Sequence, residues 1–412
     1  MKAVVFTLGC KVNECESDSL IAGLIERGYD VSDKLVSADI YVVNTCAVTN
    51  EAEKKSRQMM SRIKKLNPDA KIIFTGCAAE KDPQSFLNKD ENCLVTGVFN
   101  KNKILDMLDN VGKHVSAPCT EFEELNFTKS LRTRAYIKVQ DGCNNFCTYC
   151  IIPYLRGRNR ARAPQKVLEE ITAVSPIEAV INGINLSAYD YNGINLTGLM
   201  SYLKDVNTRI RLGSLEVGVI THEFLSALKS LKNFAPHFHL SLQSGSNAVL
   251  KKMNRHYTTG EYLEKVELIR EYFPDAAITT DIIVGFPTET EQDFIQTVEF
   301  TKKVNFADIH PFPFSSRSGT VAAKMQDLAP EIKKDRLNKM LEIKEKCKRA
   351  FCEKMVGKTL DFLFEEVKDG YAEGYSENYL RLYIKDQNNF KSIEKVKVVA
   401  PYKDGALAEK II

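Results

Sequence analysis

The sequence predicts an α/β protein with three parts: an N-terminal doubly wound parallel sheet, a central partial (βα)6 barrel and a small C-terminal all-β barrel. Three observations support this fold class. The chain has 412 residues, a length that favours two or three domains. Two successive series of short β-rich runs alternate with helical segments, and the last part of the chain contains β-rich runs alone. Hydrophobic residues make up 44% and charged residues 27% of the chain, which excludes disordered and collagen-like proteins.

The first series of strands defines an N-terminal domain, which we place at residues 1–118. Its candidate strands are 3–8, 39–45, 71–76 and 93–97. Segments with helical periodicity, such as ESDSLIAGLIERGY, separate these strands, and the alternation is typical of βαβ units in a parallel sheet. We interpret the acidic, weakly apolar segment 120–130 as a linker.

The second series defines a central domain, which we place at residues 131–355. Its six candidate strands are 134–140, 178–183, 210–215, 238–243, 278–285 and 308–314. Six strands with helices between them predict an open or partial barrel, in which chemistry takes place at the carboxyl ends of the strands. We expect a long helix over 330–355 to end this domain.

The C-terminal segment 356–412 has a different character. The runs GKTLDFLFEEV, YLRLYI and KVKVVAPY are short and β-rich, which predicts a small all-β module. Its tyrosines either stack on RNA bases or fill the core of the barrel, and the composition alone does not separate these alternatives. The tyrosines in question are Tyr371, Tyr375, Tyr379 and Tyr383.

Charge and cysteine content limit the function classes. The chain has 57 Lys and Arg against 54 Asp and Glu, so any nucleic-acid surface must be a local patch. It has no run of about 18 apolar residues and no signal-peptide pattern. We therefore expect a cytoplasmic protein without membrane contact. In that compartment thiols stay reduced, so the eleven cysteines indicate metal binding or catalysis rather than disulfides.

Three cysteines form a C-x3-C-x2-C motif directly after the first strand of the second series. Cys143, Cys147 and Cys150 can ligate three irons of a 4Fe-4S cluster and leave the fourth iron open for a substrate or cofactor. A structural zinc site is the alternative. Zinc would need a fourth ligand, and the same loop contains no further Cys or His.

A second set of cysteines belongs to the N-terminal domain. Cys10, Cys46 and Cys77 each follow a candidate strand within about two residues. Because the carboxyl ends of parallel strands share one edge of a sheet, we expect the three thiols to be neighbours. They could then hold a second cluster with an open iron. The alternative is that they are three buried structural cysteines, since free cysteine is common in protein cores.

Several segments resemble the radical S-adenosylmethionine (SAM) methylthiotransferase family. They are TLGCKVNECES, YVVNTCAVTNEAEKKSR, FTGCAAE, QDGCNNFCTYCIIPYLRGRNRAR, HLSLQSGSNAVLKKMNRHYT, TTDIIVGFPTETEQDF and PFPFSSRSGT. The resemblance implies two 4Fe-4S clusters and SAM as cofactors, with a barrel of radical SAM type. It assigns Cys10, Cys46 and Cys77 to an auxiliary cluster, and Cys143, Cys147 and Cys150 to the cluster that generates the radical.

The resemblance also implies a reaction. The family adds a methylthio group to a modified adenosine beside the tRNA anticodon or to a ribosomal-protein aspartate. The segment TLGCKVN is similar to the branch that acts at C2 of N6-threonylcarbamoyladenosine, at tRNA position 37. The alternatives are the branch acting on N6-isopentenyladenosine, the ribosomal-protein branch and a non-catalytic iron-sulfur protein that binds RNA.

Further residues are candidates for SAM or substrate contacts. The side chains of Asn182, Glu216, Gln243 and Asp281 lie at or just after predicted strand ends, where polar groups can reach a ligand. Each of them could instead cap a helix or bond a loop amide. Tyr149 is expected to lie near the adenine of SAM, and packing within its loop is the alternative.

The segment after the radical-cluster loop carries four alternating arginines, Arg156, Arg158, Arg160 and Arg162. In an extended segment they would project to one side and bind phosphates of RNA. The alternative is that they pair with carboxylates of the barrel. The expected partners are the tRNA anticodon stem-loop, a low-potential electron donor such as a flavodoxin, and a sulfur donor. The C-terminal module resembles the RNA-binding β-barrel (TRAM-like) that often ends tRNA-modifying enzymes.

Overall fold

A computed structural model describes residues 1–125, 133–386 and 392–411 of the chain. The predicted linker and the predicted start of the central domain fall partly on 126–132, outside the described residues. The chain divides into two compact units. The first comprises residues 1–174, 182–193 and 315–320, and the second comprises residues 175–181, 194–314 and 321–412.

The first unit begins with the predicted doubly wound sheet. Its strands are β1 (Lys2–Thr7), β2 (Asp30–Ser32), β3 (Ile40–Thr45), β4 (Lys71–Gly76), β5 (Leu94–Thr96) and β6 (Gly112–His114). They form a parallel sheet of order β2-β1-β3-β4-β5-β6. The helices are α1 (Lys11–Glu26), α2 (Asn50–Leu66), α3 (Cys77–Lys81) and α4 (Gln84–Leu87). Every residue of β3 is buried, as is typical of a parallel strand covered on both faces.

The chain then continues through the second series of strands. The elements after residue 133 are β7 (Arg134–Asp141), α5 (Ile152–Leu155), β8 (Arg160–Ala161), α6 (Pro164–Val174), β9 (Glu178–Gly183), β10 (Asp190–Tyr191), β11 (Ile194–Asn195) and α7 (Leu196–Tyr202). Strand β7 pairs with β8 in antiparallel fashion within the first unit. The predicted strands at 134–140 and 178–183 are thus confirmed to within one residue.

The second unit contains the later strands of this series. They are β12 (Arg209–Leu212), β13 (Ser214–Leu215), β14 (His237–Leu240), β15 (Ala277–Val284) and β16 (Asp308–Pro313). Strands β13 to β16 form one parallel sheet. The helices of this part are α8 (His222–Ser230), α9 (Asn247–Lys252), α10 (Thr259–Tyr272) and α11 (Glu291–Val304). Capping boxes begin α10 and α11, with Thr258 and Thr290 as the N-caps.

The predicted long helix and the C-terminal barrel complete the second unit. Helix α12 (Pro330–Met355) begins with proline at a position where its missing N–H costs nothing. It leads into β17 (Thr359–Lys368), β18 (Tyr371–Tyr375), β19 (Arg381–Ile384), β20 (Glu394–Tyr402) and β21 (Gly405–Lys410), which close into a barrel. Of the four tyrosines, Tyr383 is buried and the others are half-buried. In the described part of the chain, no helix has both the length and the hydrophobicity that a bilayer span requires.

Candidate metal centres

The first candidate centre lies at the carboxyl edge of the six-stranded sheet. Cys10 directly precedes α1, Cys46 directly follows β3, and Cys77 is the first residue of α3 after β4. Because β1 pairs with β3 and β3 with β4, these three strand ends are neighbours. Cys10 is exposed, whereas Cys46 and Cys77 are buried. As the sequence predicts, the three cysteines follow strands that are neighbours in the sheet.

Burial and neighbouring charges shift the pKa values of two of these thiols, Cys46 and Cys77. Burial raises the pKa of the Cys46 thiol to about 12, and the nearby Cys77 and Cys10 act in the same direction. Burial also raises the pKa of Cys77, against the opposing effect of the Arg156 guanidinium. Thiols this close ionise together only when positive charge compensates them. The iron of a cluster would supply that charge, because it binds the thiolate form.

Two glycines let the cysteine loops approach each other closely. Gly9 precedes Cys10 with φ of +119°, and a Cβ at Gly9 would lie 3.1 Å from the Cys46 Sγ. Gly76 precedes Cys77 with φ of +91°, and a Cβ there would lie 2.5 Å from the carbonyl oxygen of Thr45. Only glycine combines this backbone with this proximity. This close approach brings three thiol-bearing loops together, which fits a cluster held by Cys10, Cys46 and Cys77.

No three side chains of the residues that the structure describes already surround one point as ligands of a single ion would. A cubane cluster imposes a different arrangement, because each cysteine binds a separate iron. Its thiolates therefore need to line a common space rather than converge on one position. The neighbouring ends of β1, β3 and β4 bring the three cysteines together in the way that this arrangement requires.

The second candidate centre lies in the loop between β7 and α5. Cys147 is buried, and Cys143 and Cys150 are partly buried. The Cys143 Sγ accepts hydrogen bonds from the Asn145 backbone N–H at 3.5 Å and from Asn185 Nδ2 at 3.7 Å. Hydrogen bonds to a ligand sulfur stabilise the thiolate and tune the potential of an iron-sulfur cluster. The donor set therefore fits a cluster held by Cys143, Cys147 and Cys150.

A close backbone approach closes this loop. The Cys143 backbone N–H donates to the Gly157 carbonyl oxygen at 3.1 Å, and the Cys150 N–H donates to the Cys147 carbonyl oxygen at 2.9 Å. Gly142 has φ of +71°, and a Cβ there would lie 1.9 Å from the carbonyl oxygen of Arg158. The arginine-containing segment that follows α5 thus packs directly behind the cysteine loop.

Two of the predicted SAM contacts belong to the first unit. Tyr149 lies half-buried in the cysteine loop. Asn182 lies at the second-last position of β9 and is only 4% exposed, and its Nδ2 has no hydrogen-bond partner among the residues that the structure describes. A buried amide N–H2 without a partner is costly, so a ligand that accepts a hydrogen bond would lower the free energy of this site.

The other three predicted contacts belong to the second unit. Glu216 directly follows β13 and forms an ion pair with Arg255, with 2.9 Å between Oε1 and Nη2. The Gln243 backbone N–H donates to the Asp281 carbonyl oxygen at 2.9 Å. Asp281 was expected at a strand end, but it lies inside β15, because pairing with β16 continues to Val284. Its carboxylate lies 3.3 Å from His239 Nε2.

The four arginines do not form an exposed row. Arg156, Arg160 and Arg162 are buried, and only Arg158 is exposed. Arg162 pairs with Glu124 and Glu170, while Arg156 and Arg160 both pair with Asp141. The expectation that all four arginines project to one side and bind phosphates is therefore corrected, because carboxylates of the protein pair with Arg156, Arg160 and Arg162. The exposed Arg158 has its guanidinium 4.4 Å from the ring centroid of Phe146.

A buried ionic network, which sequence patterns did not predict, lies beside the two cysteine sets. Glu16 on α1 is fully buried and pairs with three cations, Lys101, Lys138 and Arg156. Neighbouring cations, Arg156 first among them, hold the pKa of Glu16 well below its ordinary value despite burial. The Lys138 side chain also pairs with Asp141 at 2.7 Å. Glu16 belongs to the segment TLGCKVNECES, but periodicity places it on an ordinary amphipathic helix.

Comparison with known proteins identifies two family models in the chain. The model of the radical SAM superfamily matches residues 137–301, which include the C-x3-C-x2-C motif. A model described as uncharacterized protein family UPF0004 matches residues 2–97, which include Cys10, Cys46 and Cys77. Each model thus covers one of the two cysteine sets.

Curated relatives extend over nearly the whole chain. A threonylcarbamoyladenosine tRNA methylthiotransferase of Bacillus subtilis is 35% identical over 98% of this chain and 96% of its own length. One from Aquifex aeolicus is 39% identical over 91% of this chain and 95% of its own. A tRNA-2-methylthio-N(6)-dimethylallyladenosine synthase of Thermodesulfovibrio yellowstonii is 34% identical over 89% of each chain.

Among solved structures, the radical SAM methyltransferase TsrM from Kitasatospora setae, with cobalamin and a [4Fe-4S] cluster bound, is similar with a TM-score of 0.55. The similarity covers 90% of this chain and 80% of that one. At 13% sequence identity, it concerns the fold alone.

Proposed function

The chain belongs to the radical SAM methylthiotransferase family, and we propose that it adds a methylthio group to C2 of N6-threonylcarbamoyladenosine at position 37 of tRNA. Relatives named for this substrate are 35–39% identical over 90% or more of the chain. Those named for the dimethylallyl substrate are 33–34% identical over 88–89% of it. The observation that carries the proposal is the pair of cysteine triads within one compact unit.

The two triads have different tasks. Cys10, Cys46 and Cys77 would hold the auxiliary cluster, where the sulfur to be transferred is methylated. The Cys143, Cys147 and Cys150 thiolates would hold the cluster that, when reduced with SAM bound, supplies the 5′-deoxyadenosyl radical that removes the C2 hydrogen. The protein itself binds SAM, orients the base and fixes both cysteine loops.

Asn182 is the first candidate for a SAM contact, because its buried Nδ2 lacks a partner. Tyr149 is placed in the same unit, on the cysteine loop, and would pack on the adenine. In the second unit, Gln243 and Asp281 are joined by a backbone hydrogen bond, and Glu216 lies after β13. These three are proposed to contact SAM or the substrate base.

We expect Asn182→Ala to weaken SAM binding about tenfold, because a hydrogen bond to a charged group contributes about 1.5–3 kcal/mol. Equilibrium dialysis with the reconstituted enzyme measures the Kd. Asn102→Ala, an exposed asparagine of the same unit, is the control and should bind SAM normally. An unchanged Kd for the Asn182 variant would assign this residue to loop packing.

The RNA substrate must present its base unstacked, since enzymes that act on a base take it out of the stack. We propose that Arg158 contacts phosphates of the anticodon stem-loop and that the C-terminal barrel contacts RNA outside the loop. A flavodoxin-like electron donor and a separate sulfur donor complete the reaction. A tRNA substrate is consistent with a cytoplasmic location.

We expect Arg158→Ala to weaken tRNA binding and to reduce the slope of log K against log salt by about 0.7–0.9, which corresponds to one phosphate contact. Binding titrations at several salt concentrations measure this slope. Arg349→Ala removes an equally exposed arginine from α12 and should leave the slope unchanged. An unaltered slope for Arg158→Ala would exclude this phosphate contact.

Nucleoside mass spectrometry tests the substrate directly. The chain would be expressed in Bacillus subtilis lacking its own threonylcarbamoyladenosine tRNA methylthiotransferase, and the tRNA nucleosides analysed. We expect the methylthio derivative of threonylcarbamoyladenosine to reappear. Restoration of only the isopentenyl derivative, in a strain lacking that enzyme, would favour the other tRNA substrate. A protein that forms no 5′-deoxyadenosine when reduced with SAM would be non-catalytic.

A further inference from the structure

Arg156 connects the two cysteine sets of the first unit. It follows α5 and lies six residues beyond Cys150, and it is fully buried. Its Nε donates to the Cys77 Sγ at 3.4 Å, and its Nη1 donates to Asp141 Oδ1 at 3.2 Å. Asp141 lies two residues before Cys143. One guanidinium therefore contacts a proposed ligand of the auxiliary cluster and the strand that carries the other cysteine loop.

Arg156 also supports the loops of the other two auxiliary cysteines through Asn13. Its Nη2 donates to Asn13 Oδ1 at 2.9 Å. Asn13 Nδ2 in turn donates to the carbonyl oxygens of Leu8 at 2.8 Å and Thr45 at 3.1 Å. Leu8 lies two residues before Cys10, and Thr45 directly precedes Cys46. The three loops of the auxiliary centre are thus joined to a single guanidinium, directly or through one amide.

Arg156 belongs to a buried network of charges. Its ion-paired members are Glu16, Asp141, Lys101, Lys138, Arg156 and Arg160, all of them buried. Two further carboxylates act on this network, Glu80 on Arg156 and Glu123 on Lys138. Within it, Arg156 is the cation that donates a hydrogen bond to the Cys77 sulfur. A thiolate at Cys77 would therefore face the positive charge of this guanidinium directly.

We propose that Arg156 is a positioning residue of the auxiliary centre, which fixes the Cys77 thiolate and stabilises the reduced, more negative state of the cluster. This inference rests on the proposed assignment of Cys10, Cys46 and Cys77 to that cluster. Net charge and hydrogen bonds to sulfur are two of the factors that set the potential of an iron-sulfur cluster. Removing the guanidinium changes both factors in the same direction.

The test is a redox titration of the auxiliary cluster, followed by electron paramagnetic resonance. Replacing Cys143, Cys147 and Cys150 by alanine in the full chain leaves the auxiliary cluster as the only source of signal. In that background, we expect Arg156→Gln to lower the midpoint potential. Arg156→Lys keeps the charge but loses the planar guanidinium, so the midpoint potential of its cluster should lie between those of the unchanged Arg156 and of Arg156→Gln. Arg62→Gln, at an exposed arginine on α2 of the same unit, is the control and should leave the potential unchanged.

The outcomes separate a positioning role from a merely structural one. If Arg156 only stabilised the fold, its variants would lose iron or melt earlier, but the clusters that assemble would keep the wild-type potential. That result would overturn the proposal. Should Arg156→Gln fail to fold, Arg156→Lys decides, because Glu16 and Asp141 keep their cationic partners in it. The titration needs no tRNA, so its result is independent of which nucleoside the enzyme modifies.

Discussion

Replacing Cys77 by alanine is expected to abolish methylthio transfer while leaving SAM cleavage intact. The auxiliary centre would retain two thiolates, Cys10 and Cys46, which are too few to hold a cubane that already lacks a fourth protein ligand. The iron content should fall from about eight to about four per chain, the values for two cubanes and for one. Cys143, Cys147 and Cys150 lie in a separate loop, so the cluster that we propose for them should still assemble.

Three measurements on the Cys77→Ala variant test this division of tasks: iron per chain, 5′-deoxyadenosine formed under reducing conditions, and the methylthio nucleoside in tRNA. Cys93→Ala is the matched control, because Cys93 is equally buried in the same domain but precedes β5 rather than following a strand. It should keep both clusters. A Cys77 variant that retains its full iron content and still modifies tRNA would disprove the ligand set. Cys15, buried on α1 five residues after Cys10, would then be the next candidate.

The placement of the auxiliary cysteines was predictable because it follows from strand order alone. Alternating β-rich and helical runs indicate a parallel sheet, and a residue that follows a parallel strand lies at its carboxyl edge. No side-chain detail is needed for this argument, and β1, β3 and β4 are adjacent as it requires. Strands β2 and β6 were missed because their sequences, DVS and GKH, are largely polar, whereas β5 has the same length but the β-rich sequence LVT.

The ion pairs of the arginines were not predictable, because they depend on side chains that are distant in the sequence rather than on strand order. Arg156 pairs with Glu16, 140 residues earlier in the chain, and Arg162 pairs with Glu124, 38 residues earlier. An alternating pattern indicates which side chains share a face, but it does not show whether that face meets solvent or a distant carboxylate. The sequence therefore left two alternatives, RNA phosphates or carboxylates, and the structure selects carboxylates for three of the four arginines.

The position of Asp281 also differs from the sequence-based prediction. A strand end predicted from the sequence has an error of a few residues. A polar residue near a predicted end can therefore be placed in a loop when it belongs to the strand. In the structure, the last six residues of β15 pair with β16, so Asp281 lies on the strand and contacts His239. Its proposed contact with SAM or substrate would thus be made from a strand rather than from a loop.

Replacing Cys147 by alanine is expected to have the reverse effect of the Cys77 change. Cys147 is the most buried of the three cysteines in its loop, and two thiolates would remain. About four irons per chain should be retained, now at the auxiliary centre, and 5′-deoxyadenosine formation should fall to background.

Cys119→Ala is the matched control for this variant. Cys119 is partly exposed in the same unit, and its Sγ donates to the Glu121 carbonyl oxygen at 3.4 Å. This variant should cleave SAM normally. Both cysteine variants would lack the methylthio nucleoside, so the product alone cannot separate the two centres, whereas 5′-deoxyadenosine does. If Cys147→Ala still forms 5′-deoxyadenosine while Cys77→Ala does not, the roles of the two triads are interchanged. If both variants lose 5′-deoxyadenosine formation equally, the two centres assemble cooperatively. The contacts of Arg156 with Cys77 and with Asp141 would then explain this coupling.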